Sequence, residues 1–520
     1  MSALRGSHPA HRQLADALAW LRAHLQPGAQ LHADTRTLGA GDAFLAYAVD
    51  GADNRPHIDT AFTRGAAGVL YQPENYTGTP DPAKSHAVPA LNELAGTIAS
   101  AWYGDPSDQM RAIGVTGTNG KTSCTQWIAT ALSAHGTPCA VIGTLGSGMP
   151  GQLTLTGFTT PDAPQLQRSL AQLRAAGAQA VAMEVSSHAL HQGRVNGTRF
   201  DIAVFTNLTQ DHLDYHRTFA AYEAAKARLF AWPELRTAVI NADDEAGLRL
   251  LASTKGHART IAYALEATGP AAATRSIAPL ADQTLLATNV RATAMGTAFH
   301  LESDWGNADV EVATLGAFNV SNLLGVLGAL LAADVPFNAA LAELAKLEPV
   351  NGRMQRLGGR LQNDEPLVVI DYAHTPDALE KTLSALRPIA QARGGELICM
   401  FGCGGDRDAL KRPLMGAIAE RLADGVVVTS DNPRTEAPQA IIEQIVAGMQ
   451  QGAKARAIED RASAILQAIR SAAREDVIVL AGKGHEATQE IMGKKRAFSD
   501  QDHARLALAA RATQARGGGE

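Results

Sequence analysis

The chain has 520 residues, 46 of them Lys or Arg and 52 Asp or Glu, for a formal net charge of −6. At roughly 100–200 residues per domain, that length predicts about three or four domains. Hydrophobic residues at 46% and charged residues at 19% exclude wholesale disorder, and the mildly acidic balance gives no support to a general nucleic-acid or anionic-membrane binder.

In chain order, the opening stretch from Met1 to Gln26 breaks every apolar run with polar residues, so it lacks a signal-peptide core. Short apolar runs, Ala43 to Ala48 and Ala67 to Tyr71, lie among Asp, Gly and Asn turns. They predict a small α/β unit over residues 1–105, ending near Tyr103 to Ser107. From 106 to 348 strand and helix signals alternate. RAIGVT is a buried strand ahead of a helix from about Lys121 to His135, and CAVIG is the next strand. Asp162 to Ala176 is a helix with Thr160 as its cap and Pro161 in its first turn. QAVAMEV, IAVFTN and TAVINAD are further strands, and Ala271 to Asp304 predicts short antiparallel strands of an insertion. A break at Leu347 to Gly352 opens residues 349–520, where LVVIDYA, ELICMFG, GVVVTSD and DVIVLAG alternate with helices up to a glycine-rich tail, Gly517 to Gly519. The expected class is α/β with three domains: a small N-terminal unit, a central P-loop-type parallel sheet and a C-terminal Rossmann-like unit. Cys124, Cys139, Cys399 and Cys403 form no CxxC pair, so neither a disulfide scaffold nor structural zinc is expected. No run approaches the ~18 apolar residues of a membrane span, and a cytoplasmic chain without membrane or nucleic-acid partners is expected.

The most informative string is Gly114-Val115-Thr116-Gly117-Thr118-Asn119-Gly120-Lys121-Thr122, between a strand and a helix. Glycines let backbone N–H groups close around phosphate oxygens, and the helix directs its positive end there. Lys121 then reaches the outer phosphates and the Thr122 hydroxyl ligates Mg²⁺. The spacing departs from GxxxxGK[ST], with Val115 where the first glycine belongs. Glu184 closes AVAMEV, and Asn207, Asp211, His212, Asp214 and His216 follow another strand in TNLTQDHLDYH. Carboxylate and imidazole groups at strand ends beside a phosphate loop form a reasonable Mg²⁺ set.

At these residues the chain resembles the Mur ligases, ATP-dependent amide-forming enzymes of bacterial peptidoglycan precursor synthesis. VTGTNGKT, MEVSSHAL, FTNLTQDHLDYH, FNVSNLLG, NGRMQ, DYAHTPDAL and FGCGGDRD occur in the family's order. DNPR at Asp431 to Arg434 and GKGHE at Gly482 to Glu486 narrow the resemblance to the members that add meso-2,6-diaminopimelate to UDP-N-acetylmuramoyl-L-alanyl-D-glutamate. Such enzymes phosphorylate a carboxylate with ATP, and an amine then attacks the acyl phosphate.

The resemblance implies that Gly117, Thr118, Asn119, Gly120, Lys121, Thr122, Asn207, Asn319, Arg353 and Asp371 serve ATP. It implies Mg²⁺ held by Thr122, Glu184, His212 and Lys226, the last carbamylated by CO₂ so that a cation becomes an oxygen ligand. Lys121, Glu184, His212 and Lys226 are then the catalytic set. For the UDP-sugar peptide the matching positions are Ala33, Thr35, Asp50, Gly51, Ala52, Phe158, Thr159, Thr160, Ser186, Gln192 and Arg194, with Thr35 where Ser is usual. For diaminopimelate they are Arg407, Asp431, Asn432, Pro433, Arg434, Gly482 and Glu486, the arginines for carboxylate and Glu486 for ammonium. A monomer is expected. The rival readings are a lysine-adding relative, a folylpolyglutamate synthetase, which should lack DNPR and GKGHE, and a binding protein that uses ATP only as a switch.

Overall fold

The computed structural model describes residues 9–266, 280–293, 296–452 and 455–517. The expectations for residues 1–8, for 271–279 and for Gly518 and Gly519 lie outside them. Among the described residues three larger sheets follow one another along the chain, beside two two-stranded ribbons, Ala48–Val49 with Ala52–Asp53 and Thr488–Ile491 with Lys494–Ala497. The first is parallel, in the order Leu31–His32, Ala43–Ala46, Gly68–Tyr71 and Ser85–Ala87. Helices Pro9–His24 and Leu91–Trp102 cover one face through Leu18, Leu21, Leu91 and Ile98. A smaller cluster around Phe44, Ile58 and Val69 fills the other.

The central sheet has eleven strands. Its parallel part runs Cys139–Gly143, Ala180–Glu184, Arg111–Thr116, Ile202–Phe205, Thr237–Asn241, Arg259–Leu265, Gln283–Ala292. Successive side chains point to opposite faces, so Ile113 and Val115 join a cluster with helices Lys121–Ala134 and Ala317–Ala332. Ala112, Val181 and Met183 join one with helices Ala163–Ala175 and Glu245–Thr254. Both faces are covered, which is why these strands read as continuous apolar runs.

Two expectations need correction. Gln283–Ala292 and Thr297–Ser303 are an antiparallel pair as expected, but they are ten and seven residues long and, because Gln283–Ala292 also pairs parallel with Arg259–Leu265, they continue the central sheet instead of forming a separate insertion. Ala308–Val312 adds a further antiparallel strand at that edge. Leu285 and Ala287 are buried while their neighbours are less so, a half-covered pattern that shows the antiparallel pair in the sequence but not the parallel neighbour on its other side. The helix Ala163–Ala175 is capped by Asp162, whose carboxylate accepts from Gln165 N at 2.9 Å, and not by Thr160. The Thr160 hydroxyl instead donates to the Glu184 carbonyl at 2.8 Å.

The third sheet runs Gln355–Gly358, Leu367–Asp371, Val477–Ala481, Leu397–Phe401, Gly425–Val428, Arg456–Ala457, parallel except at its first strand. Helices Pro376–Arg393, Lys411–Leu422 and Pro438–Val446 cover one face; Arg461–Ser471 and Asp500–Gly517 cover the other. This is a doubly wound unit. The first and central units meet where Gly96 lies under the Asn196 carbonyl; a Cβ on Gly96 would stand 1.9 Å from that oxygen. Among the described residues no helix is long and apolar enough to cross a membrane.

Candidate active site between the central and third units

Strand order puts the carboxyl ends of Arg111–Thr116, Ala180–Glu184 and Ile202–Phe205 side by side, where open parallel sheets bind ligands. Gly117, with φ 148°, begins the turn; a Cβ there would lie 1.9 Å from Thr206 Oγ1. The turn is held by Thr118 N to Asn207 O at 2.8 Å, Asn119 N to Asn207 Oδ1 at 3.0 Å and Thr206 Oγ1 to Asn119 O at 2.6 Å. Lys121 Nζ folds back onto the carbonyls of Gly117 and Thr118, each at 2.9 Å. Burial lowers its pKa, a pull that the Glu184 charge partly offsets.

Thr122 and Glu184 meet at 2.9 Å between hydroxyl and Oε1. Thr144 supports the carboxylate through its N–H at 2.8 Å and its hydroxyl at 3.1 Å. Arg353, from the junction before the third sheet, reaches back so that Nη2 donates to Thr122 Oγ1 at 3.2 Å. Its guanidinium lies 4.3 Å from the Tyr372 ring centroid, and its buried Nε has no partner. Asp371 anchors this junction by accepting from Met354 N at 2.8 Å, Ala373 N at 3.0 Å and Thr382 Oγ1 at 3.2 Å.

Lys226 is buried, with Nζ 2.7 Å from the Gly117 carbonyl and 4.5 Å from the Tyr222 ring centroid. Burial and then the Lys121 charge drive its amine well below the ordinary lysine range. His212 sits at φ 54° beside Asp211, and its ring meets His188 edge-on at 4.9 Å. Burial opposes ionisation of Asp211, but the charges of His212, His374 and Lys121 hold its pKa below the usual value. Among the described residues no three His, Cys, Asp or Glu side chains gather as a metal site. The Thr122 hydroxyl and Glu184 carboxylate nonetheless are the hard oxygen donors Mg²⁺ takes when phosphates complete its shell.

Beside the turn lies a cavity of about 600 Å³ whose wall combines Asn119, Gly120, Asn207, Asn319 and Asn322 with Arg353, Asp371 and His374. Asn319 Nδ2 donates to the Leu315 carbonyl at 2.9 Å, which turns its oxygen towards Asn322. A second cavity, about 820 Å³, joins Ala33, Thr35, Gly51, Ala52, Phe158, Gln192 and Arg194, seven of the positions expected for the UDP-sugar peptide. Asp50 is not on its wall. It turns to the central unit, where its Oδ2 meets His191 Nδ1 at 2.8 Å and the Tyr215 hydroxyl at 3.0 Å. Thr159 and Ser186 lie nearer Glu184: Thr159 shares a 3.0 Å bond with Thr144, and Ser186 caps the helix Ser187–His191.

In the third unit, Arg407 and Arg434 both flank Gly404, whose added Cβ would lie 2.9 Å from Arg434 Nη1 and 3.8 Å from Arg407 Cγ. Arg407 is exposed, whereas Arg434 Nη1 donates to the Gly405 carbonyl at 2.6 Å, with Pro433 between it and Asn432. Asn432 Nδ2 donates to Glu486 Oε2 at 2.8 Å. Asp431 is buried against Gly482, where a Cβ would come within 2.5 Å of its carboxylate. Thr144, Asn322, His374 and Lys483 also belong to these sites, beyond the residues expected from the motifs. Asn322, His374 and Lys483 lie inside the motifs FNVSN, DYAHTPDAL and GKGHE, so a signal was present; Thr144 follows its strand as an ordinary turn residue.

The family model for the Mur ligase middle domain matches residues 115–330, and that for the Mur ligase glutamate ligase domain matches 352–484. A UDP-N-acetylmuramoyl-L-alanyl-D-glutamate--2,6-diaminopimelate ligase of Ralstonia nicotianae is 59% identical over 98% of each chain. An enzyme of the same name from Janthinobacterium sp. is 51% identical over 96% of this chain and 98% of its own. A solved structure of a ligase so named has a TM-score of 0.64 at 37% identity, covering 94% of this chain and 96% of that one. MurF of Thermotoga maritima in complex with ADP has a TM-score of 0.62 at 16% identity over 94% and 98%, a likeness of fold alone.

Proposed function

The chain belongs to the Mur ligase family, and we propose that its two cavities and the Asn432–Glu486 pocket receive the substrates of one amide-forming reaction. It is an ATP-dependent ligase that adds 2,6-diaminopimelate to UDP-N-acetylmuramoyl-L-alanyl-D-glutamate in peptidoglycan precursor synthesis. A carboxylate is a poor electrophile, so its oxygen first attacks the γ-phosphorus of ATP and ADP leaves. The amine then attacks the acyl carbon, and the tetrahedral intermediate expels phosphate. The protein's part is to neutralise phosphate charge and to align reactants.

The phosphates lie on the Gly117–Thr122 turn, where Lys121 exchanges its two carbonyl contacts for phosphate oxygens. Arg353 turns its unpartnered Nε and its fork to the same charge from the third unit, and Tyr372 holds the guanidinium plane. Thr122, Glu184 and His212 would hold Mg²⁺, which when bound would supply Lewis acidity towards phosphate oxygens. Lys226 is the exception to this logic, since a buried cation beside a metal is repulsive. Its amine contacts a carbonyl and a ring face, and burial together with the Lys121 charge outweighs the Asp211 carboxylate, which favours the neutral form that adds CO₂. As a carbamate it would offer oxygen to that metal. Asn319 and Asn207 contact the nucleotide, and Thr159, Thr160 and Ser186 line the path from the peptide carboxylate to Glu184.

Residues 1–105 hold the UDP end, 106–348 the ATP and 349–520 the amino acid; the enzyme works as a cytoplasmic monomer. Asp50 acts as a brace between units and not as a pyrophosphate contact. The observation that carries the reading is the meeting of Thr122, Glu184 and Arg353, drawn from two units, beside a nucleotide-sized cavity. The test is phosphate release from mixtures lacking one component at a time. Release is expected only when ATP, the UDP-sugar dipeptide and diaminopimelate are all present. Release without the amino acid at an equal rate would refute ligation.

A further inference from the structure

Lys483 is fully buried, and a buried ammonium persists only where its N–H groups find acceptors. Its Nζ has three: Asn432 Oδ1 at 3.1 Å, Glu486 Oε2 at 2.8 Å and the Thr488 carbonyl at 2.8 Å. These contacts decide how Asn432 stands. Its Oδ1 accepts from Nζ and from the backbone N–H of Glu490 at 3.0 Å, two donors that cannot accept in return. Both lone pairs are filled, so the oxygen end of the amide is fixed inward. Nδ2 then donates one N–H to Glu486 Oε2 at 2.8 Å and keeps a second. Glu486 Oε2 is filled by Lys483 and Asn432, which leaves Oε1. Burial opposes its charge, but Lys483 and the hydrogen bonds from Lys483 and Asn432 outweigh burial and hold the carboxyl below its usual range. The array adjoins Arg434, whose N–H donates to the Glu490 carbonyl at 3.0 Å.

We propose that Lys483 is a positioning residue for the incoming amino acid: it locks Asn432 oxygen-inward and pins one oxygen of Glu486. The pocket thereby offers an N–H to a distal carboxylate and Glu486 Oε1 to a distal ammonium. A zwitterionic end engages both, whereas a simple amine meets only the acceptor and leaves the donor unpaired, which is a basis for discrimination. Without the ammonium at 483 the amide is free to flip and Glu486 loses its counter-charge. The role rests on diaminopimelate being the amino acid, as proposed above.

The test is Lys483→Met, similar in length and uncharged, assayed by phosphate release with each substrate varied in turn. KM for diaminopimelate is expected to rise about tenfold or more, the worth of one lost charged hydrogen bond. KM for ATP and for the UDP-sugar dipeptide, and kcat, should stay within about threefold, because those sites are untouched. The preference for diaminopimelate over lysine should narrow. A lysine of purely structural importance would instead move all the constants together, and an unchanged KM for diaminopimelate would overturn the proposal outright. Should Lys483→Met not fold, Lys483→Gln is of similar length, keeps a hydrogen-bond donor and removes the charge. It must show the same selective rise, and a wild-type KM there overturns the role. Wild-type protein that turned over another amino acid would overturn the substrate assignment instead. Lys483 would then be judged by the same ratio with that amino acid.

Discussion

Replacing Arg353 with Ala removes a cation that the third unit sends to the phosphate turn. The guanidinium lies within 3.2 Å of Thr122 Oγ1, so a phosphate held at Thr122 falls within hydrogen-bonding distance of its fork. Unit charges about 4 Å apart interact by roughly 4 kcal/mol at an effective dielectric of 20, an upper figure for a half-buried group. A hydrogen bond to a charged group is worth about 1.5–3 kcal/mol. The expected loss is therefore about 2–4 kcal/mol, or roughly 30- to 900-fold in kcat/KM for ATP. Folding should suffer little, since a cation–π contact contributes about 0.5–1 kcal/mol at a partly exposed site. Arg353→Lys should fall between, keeping the charge without the planar fork. Coupled detection of phosphate with ATP varied gives the ratio, and a melting curve gives the control. A kcat/KM within threefold of wild type in a folded Arg353→Ala protein would refute the placement of ATP against this residue.

Lys226→Ala should lose nearly all activity and should not respond to added bicarbonate, whereas the wild type should lose activity when CO₂ is stripped; normal turnover by the variant would remove the carbamate from the account. Gly96→Ala drives a Cβ to 1.9 Å from the Asn196 carbonyl, and overpacking of this kind costs about 1–3 kcal/mol. Its melting temperature should drop and its KM for the UDP-sugar dipeptide should rise; an unchanged melting curve would mean the two units do not meet there. His485 is held to a pKa of about 4 by burial and then by the Arg353 charge, with Nδ1 unpartnered. The unfolded chain takes a proton at about 6.5 and the folded chain does not, so this group subtracts stability as pH falls from about 6.5 to about 4. Between pH 7.5 and 5 the wild type should therefore lose more thermal stability than His485→Gln, and an equal or smaller loss would contradict that environment.

What the sequence disclosed follows from how local each device is. The phosphate turn is one continuous string whose glycines, Lys121 and Thr122 sit together in the chain, so its role was legible at once. The central strands were legible because burial on both faces leaves unbroken apolar runs, as in Ala180–Glu184. Gln283–Ala292 was legible as half of an antiparallel pair, but its parallel pairing with Arg259–Leu265 was not, because one covered face gives an alternation that both kinds of strand share. Thr160 and Asp162 are both good caps, and only the fold decides between them: the Glu184 carbonyl claims the Thr160 hydroxyl. Asp50 follows the FLAYAV strand and so reads as part of the first unit's site, yet its partners His191 and Tyr215 come from the central unit. Lys483 was hidden in plain view, since nothing in GKGHE reveals that its ammonium is enclosed by Asn432, Glu486 and Thr488.

The decisive measurement is the mass of the nucleotide product after ATP, UDP-N-acetylmuramoyl-L-alanyl-D-glutamate and an equal mixture of meso-2,6-diaminopimelate and lysine are incubated with the enzyme. A single new species heavier by one diaminopimelate less one water, formed with one phosphate released per product, is the expected result. A lysine adduct, or phosphate released while the UDP-sugar dipeptide keeps its original mass, would contradict it.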